Sequence, residues 1–292
     1  MNFKVMNSGS ESEMNPKIVW LASYPKSGNT WFRSFLSALI GTRELDINNL
    51  ETDGIFSGKN NLEMALDIDS DYINQKEAEN YKRIAFRYLS AENCRLLYVK
   101  IHDAFTYSEF DKLPLVPEEP TKMAIYLIRN PLDIAVSLAN HLDDSIDNAI
   151  EKFLTNQKSS FGTTKNLGIK QFYQPLGTWS GHVESWLKHP SFPVHFIRYE
   201  DLKIRPFETF KAAVTAIGLQ VTDEKIQEAI ELTKFEKLKK QEEQSGFKEK
   251  QVPDKSFFFK GESGRWKEEL STKQIEKIRE ANQPMMEHFG YW

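Results

Sequence analysis

One short segment of the chain gathers the groups that hold an oxyanion: residues 24–31, with the sequence Tyr-Pro-Lys-Ser-Gly-Asn-Thr-Trp. It offers a cation, two small hydroxyls and a glycine, namely Lys26, Ser27, Thr30 and Gly28. An apolar run at residues 18–22 precedes it and an amphipathic run at residues 32–40 follows, so the segment joins a strand to a helix. Free N–H groups and the positive end of the helix dipole favour an anion there. The segment therefore predicts an oxyanion-binding loop.

The order of these residues separates the loop from the common nucleotide-binding loop. In that motif, G-x-x-x-x-G-K-[ST], the lysine follows the last glycine and the next hydroxyl holds magnesium. Here Lys26 precedes Gly28, and no such metal-binding pair follows. Taken alone, the segment has an alternative interpretation as an ordinary strand-to-helix turn whose lysine points into water.

A second group lies near the apolar run at residues 96–99, where Lys100 and His102 stand two positions apart. Side chains at that spacing lie on the same side of an extended backbone, so both can face one cleft. A histidine titrates near neutral pH and can take a proton from an attacking hydroxyl. Because the chain has 6 histidines, a structural role for His102 is the competing interpretation.

A third group begins at Arg129, directly after the apolar run at residues 123–128. Ser137 lies about two turns into the following helix, within reach of the same ligand. The guanidinium offers a planar fork that matches phosphate, and the serine hydroxyl adds one more donor. An ion pair between Arg129 and Asp133 is the structural alternative.

The elements that must position these groups follow from the hydrophobic pattern. Short, nearly continuous apolar runs predict strands of a parallel sheet at residues 18–22, 96–99, 123–128 and 194–197. Helical periodicity predicts helices at residues 32–40, 132–142, 207–217, 223–232 and 273–282. Residues suited to helix ends support these limits: Gly41, Asn130, Pro131, Ser271 and Gln274. The alternation favours a single-domain, three-layer α/β/α fold with a central, mostly parallel sheet, whose ligands bind beyond the carboxyl ends of the strands.

Composition limits the class of function. The 292 residues carry a net charge of −4, which argues against a general binder of nucleic acid or anionic membranes. Residues 1–16 are polar, with no apolar stretch long enough for a membrane span, and we expect a flexible tail ahead of one domain at residues 17–292. The single cysteine, Cys94, fits a reducing cytoplasm and is expected to be a small buried residue. We expect the charge-rich run at residues 234–250 to be a mobile loop.

The three groups, taken in order, resemble the sulfotransferases that use 3′-phosphoadenosine 5′-phosphosulfate (PAPS). The loop at residues 24–31 resembles their 5′-phosphosulfate loop, with Asn29 where the family usually has threonine. The run from Arg129 to Ser137 resembles the family segment that binds the 3′-phosphate. The resemblance implies that the loop binds the donor through Lys26, Ser27, Gly28, Asn29, Thr30 and Trp31.

The same resemblance implies the catalytic groups. Lys100 and His102 match a lysine and a catalytic histidine of the family, and Ile101 replaces the threonine between them. His102 would deprotonate the acceptor, while Lys26 and Lys100 stabilise charge on the departing phosphate oxygen. Ser137 would restrain Lys26 until the acceptor arrives.

The remaining donor contacts are implied by segments further along the chain. Aromatic and hydroxyl side chains would surround the adenine: Trp31, Tyr199, Thr233 and Phe235. Near the C-terminus, Lys260 and Gly261 resemble the segment that closes over the 3′-phosphate, but Phe259 stands where the family has arginine. We therefore expect weaker or differently organised 3′-phosphate binding, either through Lys260 and the backbone N–H groups near Gly261 or with Arg265 as a substitute cation.

The resulting hypothesis is a cytoplasmic, metal-independent sulfotransferase. It would transfer a sulfuryl group from PAPS to a hydroxyl or amine of a small-molecule acceptor and release 3′-phosphoadenosine 5′-phosphate (PAP). The alternatives are a P-loop-like nucleotide or small-molecule kinase and a non-catalytic nucleotide-binding module. A homodimer is a further option, because Lys267 and Glu276 resemble the family's dimer motif, although Ser271 and Thr272 replace its central pair.

The acceptor stays open at this stage. Phenols, sterol or lipid alcohols, sugars and glycopeptides are all compatible with the sequence. Aromatic residues outside the matched segments either line an acceptor pocket or belong to the core: Phe105, Tyr107, Phe161, Phe172 and Tyr173.

Overall fold

A computed structural model describes residues 16–42, 44–162, 170–250, 252, 254–259 and 261–292, so the expected tail falls almost wholly outside the described residues. The strands are β1 (Ile18–Ser23), β2 (Leu97–Ile101), β3 (Thr121–Ile128), β4 (Ser160–Phe161), β5 (Gln174–Pro175) and β6 (Val194–Arg198). The helices are α1 (Asn29–Ile40), α2 (Lys59–Leu66), α3 (Gln75–Glu92), α4 (Pro131–Leu142), α5 (Ile146–Ala149), α6 (Trp179–Lys188), α7 (Tyr199–Ile204), α8 (Pro206–Ile217), α9 (Asp223–Leu232), α10 (Phe235–Ser245), α11 (Trp266–Glu269) and α12 (Thr272–His288). A 3₁₀ turn at Ser70–Tyr72 and a π-helical turn at Ile150–Leu154 complete the described elements.

The central sheet has the strand order β2-β1-β3-β6, and all neighbouring strands are parallel. The four predicted strands are confirmed, because each apolar run coincides with one of these strands. Every residue of β1 is buried, which explains its continuous apolar sequence. Strands β4 and β5 form a separate antiparallel pair.

Helices cover the sheet on both faces, as the sequence predicts. Val19 and Leu21 of β1 pack on one face with apolar residues of α1, α8 and α9. Trp20 and Ala22 pack on the opposite face with apolar residues of α4, α6 and α12. The alternation of side chains along one strand therefore serves two cores, and the three-layer α/β/α arrangement is confirmed.

A crevice forms at the carboxyl ends of β1 and β3. These strands are neighbours in the sheet, yet α1, which follows β1, packs on one face while α4, which follows β3, packs on the other. The two connecting loops therefore leave in opposite directions. Such a divergence is where α/β sheets bind their ligands.

The predicted helices are confirmed, and so are the residues that start and end them. The Asn130 side chain accepts the N–H of Leu132 at the start of α4, with Pro131 in its first turn. Ser271 and Gln274 form a capping box at the start of α12. That last helix continues to His288, beyond its predicted end at residue 282.

The prediction of a mobile loop at residues 234–250 is wrong, because most of this run forms α10. Leu238 is buried and packs with Ile47 and Phe258 in a small apolar cluster. The buried carboxylate of Glu242 accepts the backbone N–H groups of Phe257 and Phe258. The high charge belongs to the exposed face of an amphipathic helix, and only two of its residues, Leu238 and Glu242, are buried.

The expectation that Cys94 is buried is also wrong. Cys94 is exposed and lies in the turn between α3 and β2, because connections between elements run over the surface. None of the helices in the described part of the chain is long and apolar enough to span a lipid bilayer.

Candidate active site

A cavity of about 760 Å³ opens at the carboxyl ends of the central strands. It is lined by Lys26 after β1, His102 after β2, Arg129 after β3 and Tyr199 after β6. Ser137 joins them from α4. Groups predicted from separate segments therefore meet in one cavity.

The loop after β1 holds an unusual backbone conformation. Lys26 has a φ of 70°, which is uncommon for a residue with a side chain, and Gly28 has a φ of 96° at the start of α1. A Cβ atom on Gly28 would lie 2.7 Å from Cδ2 of Tyr199, so a larger residue would displace that ring. Left-handed conformations at non-glycine residues concentrate at ligand sites, which supports the interpretation of this loop as an anion cradle.

The ammonium group of Lys26 is enclosed in the cavity. Its Nζ lies 4.1 Å from the centroid of the Phe257 ring. Burial is the main cause that lowers the pKa of Lys26 to about 7; repulsion from Arg129 and Lys100 adds to the shift, and the charges of Glu242 and Glu249 oppose it. An anionic ligand beside Lys26 would favour its protonated form.

Polar atoms without partners surround the same loop. Several buried atoms have no hydrogen-bond partner among the described residues: Ser27 Oγ, Asn29 Oδ1, Trp31 Nε1 and Arg129 Nε. Each unpaired buried group costs about 1–3 kcal/mol, so a cluster of them fits a site that binds a polar ligand. Asn29, Trp31 and Arg129 line the cavity together with Thr30, whereas Ser27 is fully buried.

Asn29 has a structural task as well. Its Nδ2 donates to the carbonyl oxygen of Leu21 at 2.8 Å and to Oγ of Ser23 at 3.2 Å. These bonds tie the first turn of α1 to the last residues of β1. The asparagine that replaces the usual threonine therefore fixes the geometry of the loop.

His102 is held in one protonation state and one orientation. Its Nδ1 lies 2.9 Å from the carbonyl oxygen of Ser23 and 3.2 Å from Oγ of the same residue. A carbonyl oxygen can only accept, so Nδ1 carries the proton. Burial, followed by the charge of Lys100, lowers the pKa of His102 well below its ordinary value, so the ring is neutral. Nε2 is therefore an unprotonated base.

Helix α6 holds the backbone of His102 from behind. Nε2 of His182 donates to the carbonyl oxygen of His102 at 2.9 Å, and Tyr126 Oη donates to Nδ1 of His182 at 2.8 Å. Burial lowers the pKa of His182 to about 4, so the ring is neutral and this tautomer is fixed. Trp186 Nε1 donates to the next carbonyl, of Asp103, at 3.0 Å. These three side chains were not singled out by the sequence.

Lys100 lines the cavity but points its charge at a carboxylate. Its Nζ lies 2.9 Å from Oε2 of Glu249, and Nη1 of Arg33 lies 2.8 Å from Oε1 of the same group. The cations lower the pKa of Glu249 far below its usual range, although burial opposes this shift. Neither Arg33 nor Glu249 was predicted from the sequence, because their ion pair joins positions 216 residues apart.

Arg129 bridges the loop after β1 and the C-terminal segment. Nη1 donates to the carbonyl oxygen of Lys26 at 3.1 Å and Nη2 to that of Glu262 at 3.0 Å. The guanidinium carbon lies 4.4 Å from the centroid of the Tyr199 ring. The Asp133 carboxylate accepts from the backbone N–H groups of Gly264 and Trp266. The alternative interpretation, an ion pair between Asp133 and Arg129, is therefore not observed.

Only some of the residues predicted to contact the adenine lie at the cavity. Tyr199, Phe235, Trp31 and Gly261 line the cavity, and Tyr199 Oη donates to the carbonyl oxygen of Gly261 at 3.2 Å. Thr233 is fully buried at the end of α9, and its hydroxyl donates to the carbonyl oxygen of Ala229 at 2.7 Å, so the structure does not bring it to the cavity. Lys260 lies outside the described residues. Arg265, one of the groups expected to replace the family arginine, lines the cavity and pairs with Glu269.

His141 is a further cavity residue that the sequence analysis missed. It follows Ser137 by one helical turn on α4, a spacing that places both side chains on the same face and could have identified it. Burial and the charges of Lys26 and Lys100 lower the pKa of His141 to about 3. Of the aromatic residues considered for the acceptor pocket, Phe161 lines the cavity, whereas Phe105 and Phe172 belong to the core.

The described residues contain no group of three or more His, Cys, Asp or Glu side chains placed to hold a metal ion.

Comparison with known proteins identifies the family of this chain. A family model described as the sulfotransferase domain matches residues 16–290. Cytosolic sulfotransferase 15 of Arabidopsis thaliana is 26% identical over 266 residues, which cover 89% of this chain and 69% of that protein. Sulfotransferase 1E1 of Cavia porcellus is 28% identical over 236 residues, which cover 78% of this chain and 67% of that protein.

Solved structures share the fold. Mouse sulfotransferase SULT7A1 complexed with PAP superposes with a TM-score of 0.61 at 19% identity, covering 95% of this chain and 89% of that one. Retinol dehydratase in complex with androsterone and inactive cofactor PAP gives a TM-score of 0.60 at 20% identity, covering 93% and 81%. Because the family model spans nearly the whole sequence, this chain belongs to the sulfotransferase family.

Proposed function

We propose that this sulfotransferase takes its sulfuryl group from PAPS and transfers it to a hydroxyl or amine of a small-molecule acceptor. The observation that carries the proposal is the placement of a neutral histidine in the same cavity as Lys26, Lys100 and Arg129, with an Nε2 that has no hydrogen-bond partner among the described residues. A base and an anion cradle at one set of strand ends are the two parts that this transfer needs.

The side chains that line the cavity suit the chemical groups of PAPS. The strained loop with Lys26 and Gly28 suits the 5′-phosphosulfate, and Arg129 with Ser137 suits the 3′-phosphate. Trp31, Tyr199 and Phe235 offer aromatic faces for the adenine. The unpaired Arg129 Nε and Trp31 Nε1 are donors available to such a ligand.

The transfer follows from the roles of these side chains. Nε2 of His102 takes the proton of the acceptor hydroxyl or amine, whose lone pair forms the new bond to sulfur. The bond between sulfur and the phosphate oxygen breaks, and its electron pair stays on that oxygen, giving PAP. Lys26 and Lys100 stabilise the charge that grows there, and Ser137 restrains Lys26 before the acceptor arrives.

The chemistry also explains why cations suffice. A transferring sulfuryl group carries less negative charge than a phosphoryl group, so lysines and a helix N-terminus can do what magnesium does in kinases. We expect chelators to leave the activity unchanged. Loss of turnover with a chelator and recovery with magnesium would contradict this mechanism.

The decisive experiment is transfer from PAPS labelled with ³⁵S to a panel of phenols, sterol and lipid alcohols, sugars, glycopeptides and amines. A parallel arm with ATP labelled at the γ-phosphate tests the kinase alternative. We expect label transfer from PAPS alone. Binding of PAP without transfer to any member of a broad panel would favour the non-catalytic alternative, and phosphoryl transfer from ATP would overturn the proposal.

A further inference from the structure

Arg33, Lys100 and Glu249 form a charged triad inside the cavity. One carboxylate oxygen of Glu249 lies 2.8 Å from Nη1 of Arg33 and the other lies 2.9 Å from Nζ of Lys100. The side chains of Arg33, Lys100 and Glu249 are 7%, 15% and 22% exposed. All three line the cavity. A buried guanidinium and a buried ammonium thus share one oxyanion.

The two cations and the carboxylate differ in how they are held. Arg33 lies on α1 and Lys100 lies on β2, both packed into the core of the sheet domain. Glu249 comes from the short turn after α10 and reaches the cations from a separate part of the chain. The cations are therefore the fixed part of the triad, and the carboxylate is the part that another anion can replace.

The position of the triad indicates which anion that is. Lys100 precedes His102 by two residues at the end of β2, beside the base that would face the reacting atom. A sulfuryl group presents several oxygens to bind, and an arginine fork matches such a group better than a single point charge does. The charges of Lys100 and Glu249 both reach Lys26 of the phosphosulfate loop.

We propose that Arg33 and Lys100 form an oxyanion subsite for the sulfuryl group of the donor, and that the Glu249 carboxylate fills this subsite in the free protein. The assignment to the donor rests on the proposed function. Glu249 keeps the two cations from facing each other unpaired, and the incoming sulfuryl group takes its place. The other ligand that this pair of cations would bind is an anionic group on the acceptor.

Binding measurements test the assignment to the donor without any knowledge of the acceptor. PAP and PAPS differ only by the sulfuryl group, so their dissociation constants are compared by isothermal titration calorimetry, and inorganic sulfate is titrated into protein saturated with PAP. The variants are Arg33→Met, Glu249→Gln and the double variant, with Arg33→Lys to retain the charge. Lys248→Met is the matched control, because this exposed neighbour of Glu249 lines the cavity without joining the triad.

We expect Arg33→Met to weaken PAPS about tenfold and leave PAP unchanged, the loss that one charge-assisted pair produces. Glu249→Gln should tighten PAPS, and sulfate in the presence of PAP, by a similar factor, and Arg33→Lys should recover part of the loss. Lys248→Met should change each constant less than about twofold. Thermal melting of every variant shows that it is folded.

The remaining outcomes each decide the matter. Equal effects of Arg33→Met on PAP and PAPS would overturn the sulfuryl assignment, since the arginine would then act on the nucleotide. Unchanged PAPS and sulfate binding, with a raised KM for anionic acceptors only, would move the subsite to the acceptor and overturn its assignment to the donor. If the wild-type protein binds neither PAP nor PAPS, the proposed function fails. Inorganic sulfate is then titrated into the free protein, and binding that depends on Arg33 and is strengthened by Glu249→Gln would keep the oxyanion subsite.

Discussion

Nδ1 of His102 donates to the carbonyl oxygen of Ser23 across 2.9 Å, so the last residue of β1 orients the imidazole that follows β2. Asn29 donates to Oγ of the same serine, which links the loop after β1 to His102 through one residue. Ser23 of β1 thus sets the tautomer of His102 and holds the first residue of α1. The spacing between His102 and the loop after β1 is therefore fixed by the sheet.

The first prediction uses this hydrogen bond. An asparagine at position 102 can still donate to Ser23, but it offers no basic nitrogen at the place of Nε2. We expect His102→Asn to bind PAP as the wild type does and to lose transfer by about 10²- to 10⁴-fold, the usual worth of a general base. Calorimetry with PAP and transfer of ³⁵S label measure the two properties.

The pH dependence of the wild type is the companion observation. A base works in its deprotonated form, and the pKa of His102 is lowered well below its ordinary value. The acidic limb of the kcat/KM profile should therefore lie below about pH 6.5, which is the pKa of an unperturbed histidine. An acidic limb near that value, or a His102→Asn variant that keeps the rate, would remove His102 from the role of base.

The second prediction concerns the proton on Lys26. The pKa of this group is lowered to about 7 in the free protein, mainly by burial, and an anionic nucleotide favours the protonated form. Above pH 7 binding must therefore take up a proton, so the affinity for PAP should fall by up to about tenfold per pH unit. Below pH 7 the lysine is already charged and contributes no slope.

The test is calorimetry with PAP between pH 7 and 9 in buffers of different ionisation enthalpy, which counts the protons taken up. Lys26→Arg is the control, because a guanidinium stays charged throughout this range. A slope that persists in this variant would be assigned to Lys100, whose pKa is also lowered by burial. An affinity of the wild type that does not change between pH 7 and 9 would contradict the prediction.

The third prediction concerns the support behind His102. Tyr126→Phe removes the donor to Nδ1 of His182, which weakens the preference for the tautomer whose Nε2–H holds the carbonyl of His102. We expect kcat to fall about five- to tenfold, from the loss of one hydrogen bond of about 1 kcal/mol, with unchanged affinity for PAP. His182→Gln should recover activity relative to His182→Leu, because its amide can still donate.

Thr121→Val is the matched control for Tyr126→Phe. It removes a buried hydroxyl on the same strand, β3, where Thr121 accepts from Trp20 Nε1 at 2.8 Å, but at the strand's amino end. Both variants should lose similar stability in urea unfolding. If Thr121→Val lowers kcat as much as Tyr126→Phe does, the role of the tyrosine is structural only.

The sequence was sufficient for the parts of the protein whose pattern is local. Continuous apolar runs predict buried parallel strands, and strand ends carry Lys26, His102 and Arg129 to one edge because parallel strands share a direction. The contacts of Glu249 were beyond such reasoning, since they depend on the packing of α10 against distant chain. Thr233 is the opposite case. The family resemblance predicts that it contacts the adenine, but its hydroxyl donates to the carbonyl oxygen of Ala229 in the preceding helical turn.

The fourth prediction separates the cost of backbone strain from the cost of a steric clash at glycines with positive φ. Gly28 has a φ of 96° and a ψ of 11°, and a Cβ there would lie 2.7 Å from Tyr199 Cδ2. Gly218 has a similar backbone, with a φ of 84° and a ψ of 24°, but a Cβ there would meet only Nζ of Lys122, at an ordinary contact distance of 3.5 Å. Gly218→Ala should lose about 1–2 kcal/mol of unfolding free energy from backbone strain alone. Gly28→Ala should lose more, because the ring or the start of α1 must shift, and its affinity for PAP should fall more than tenfold. Urea unfolding and calorimetry measure the two quantities, and equal stability losses with unchanged PAP binding would show that the close approach of Gly28 to Tyr199 does not shape the donor site.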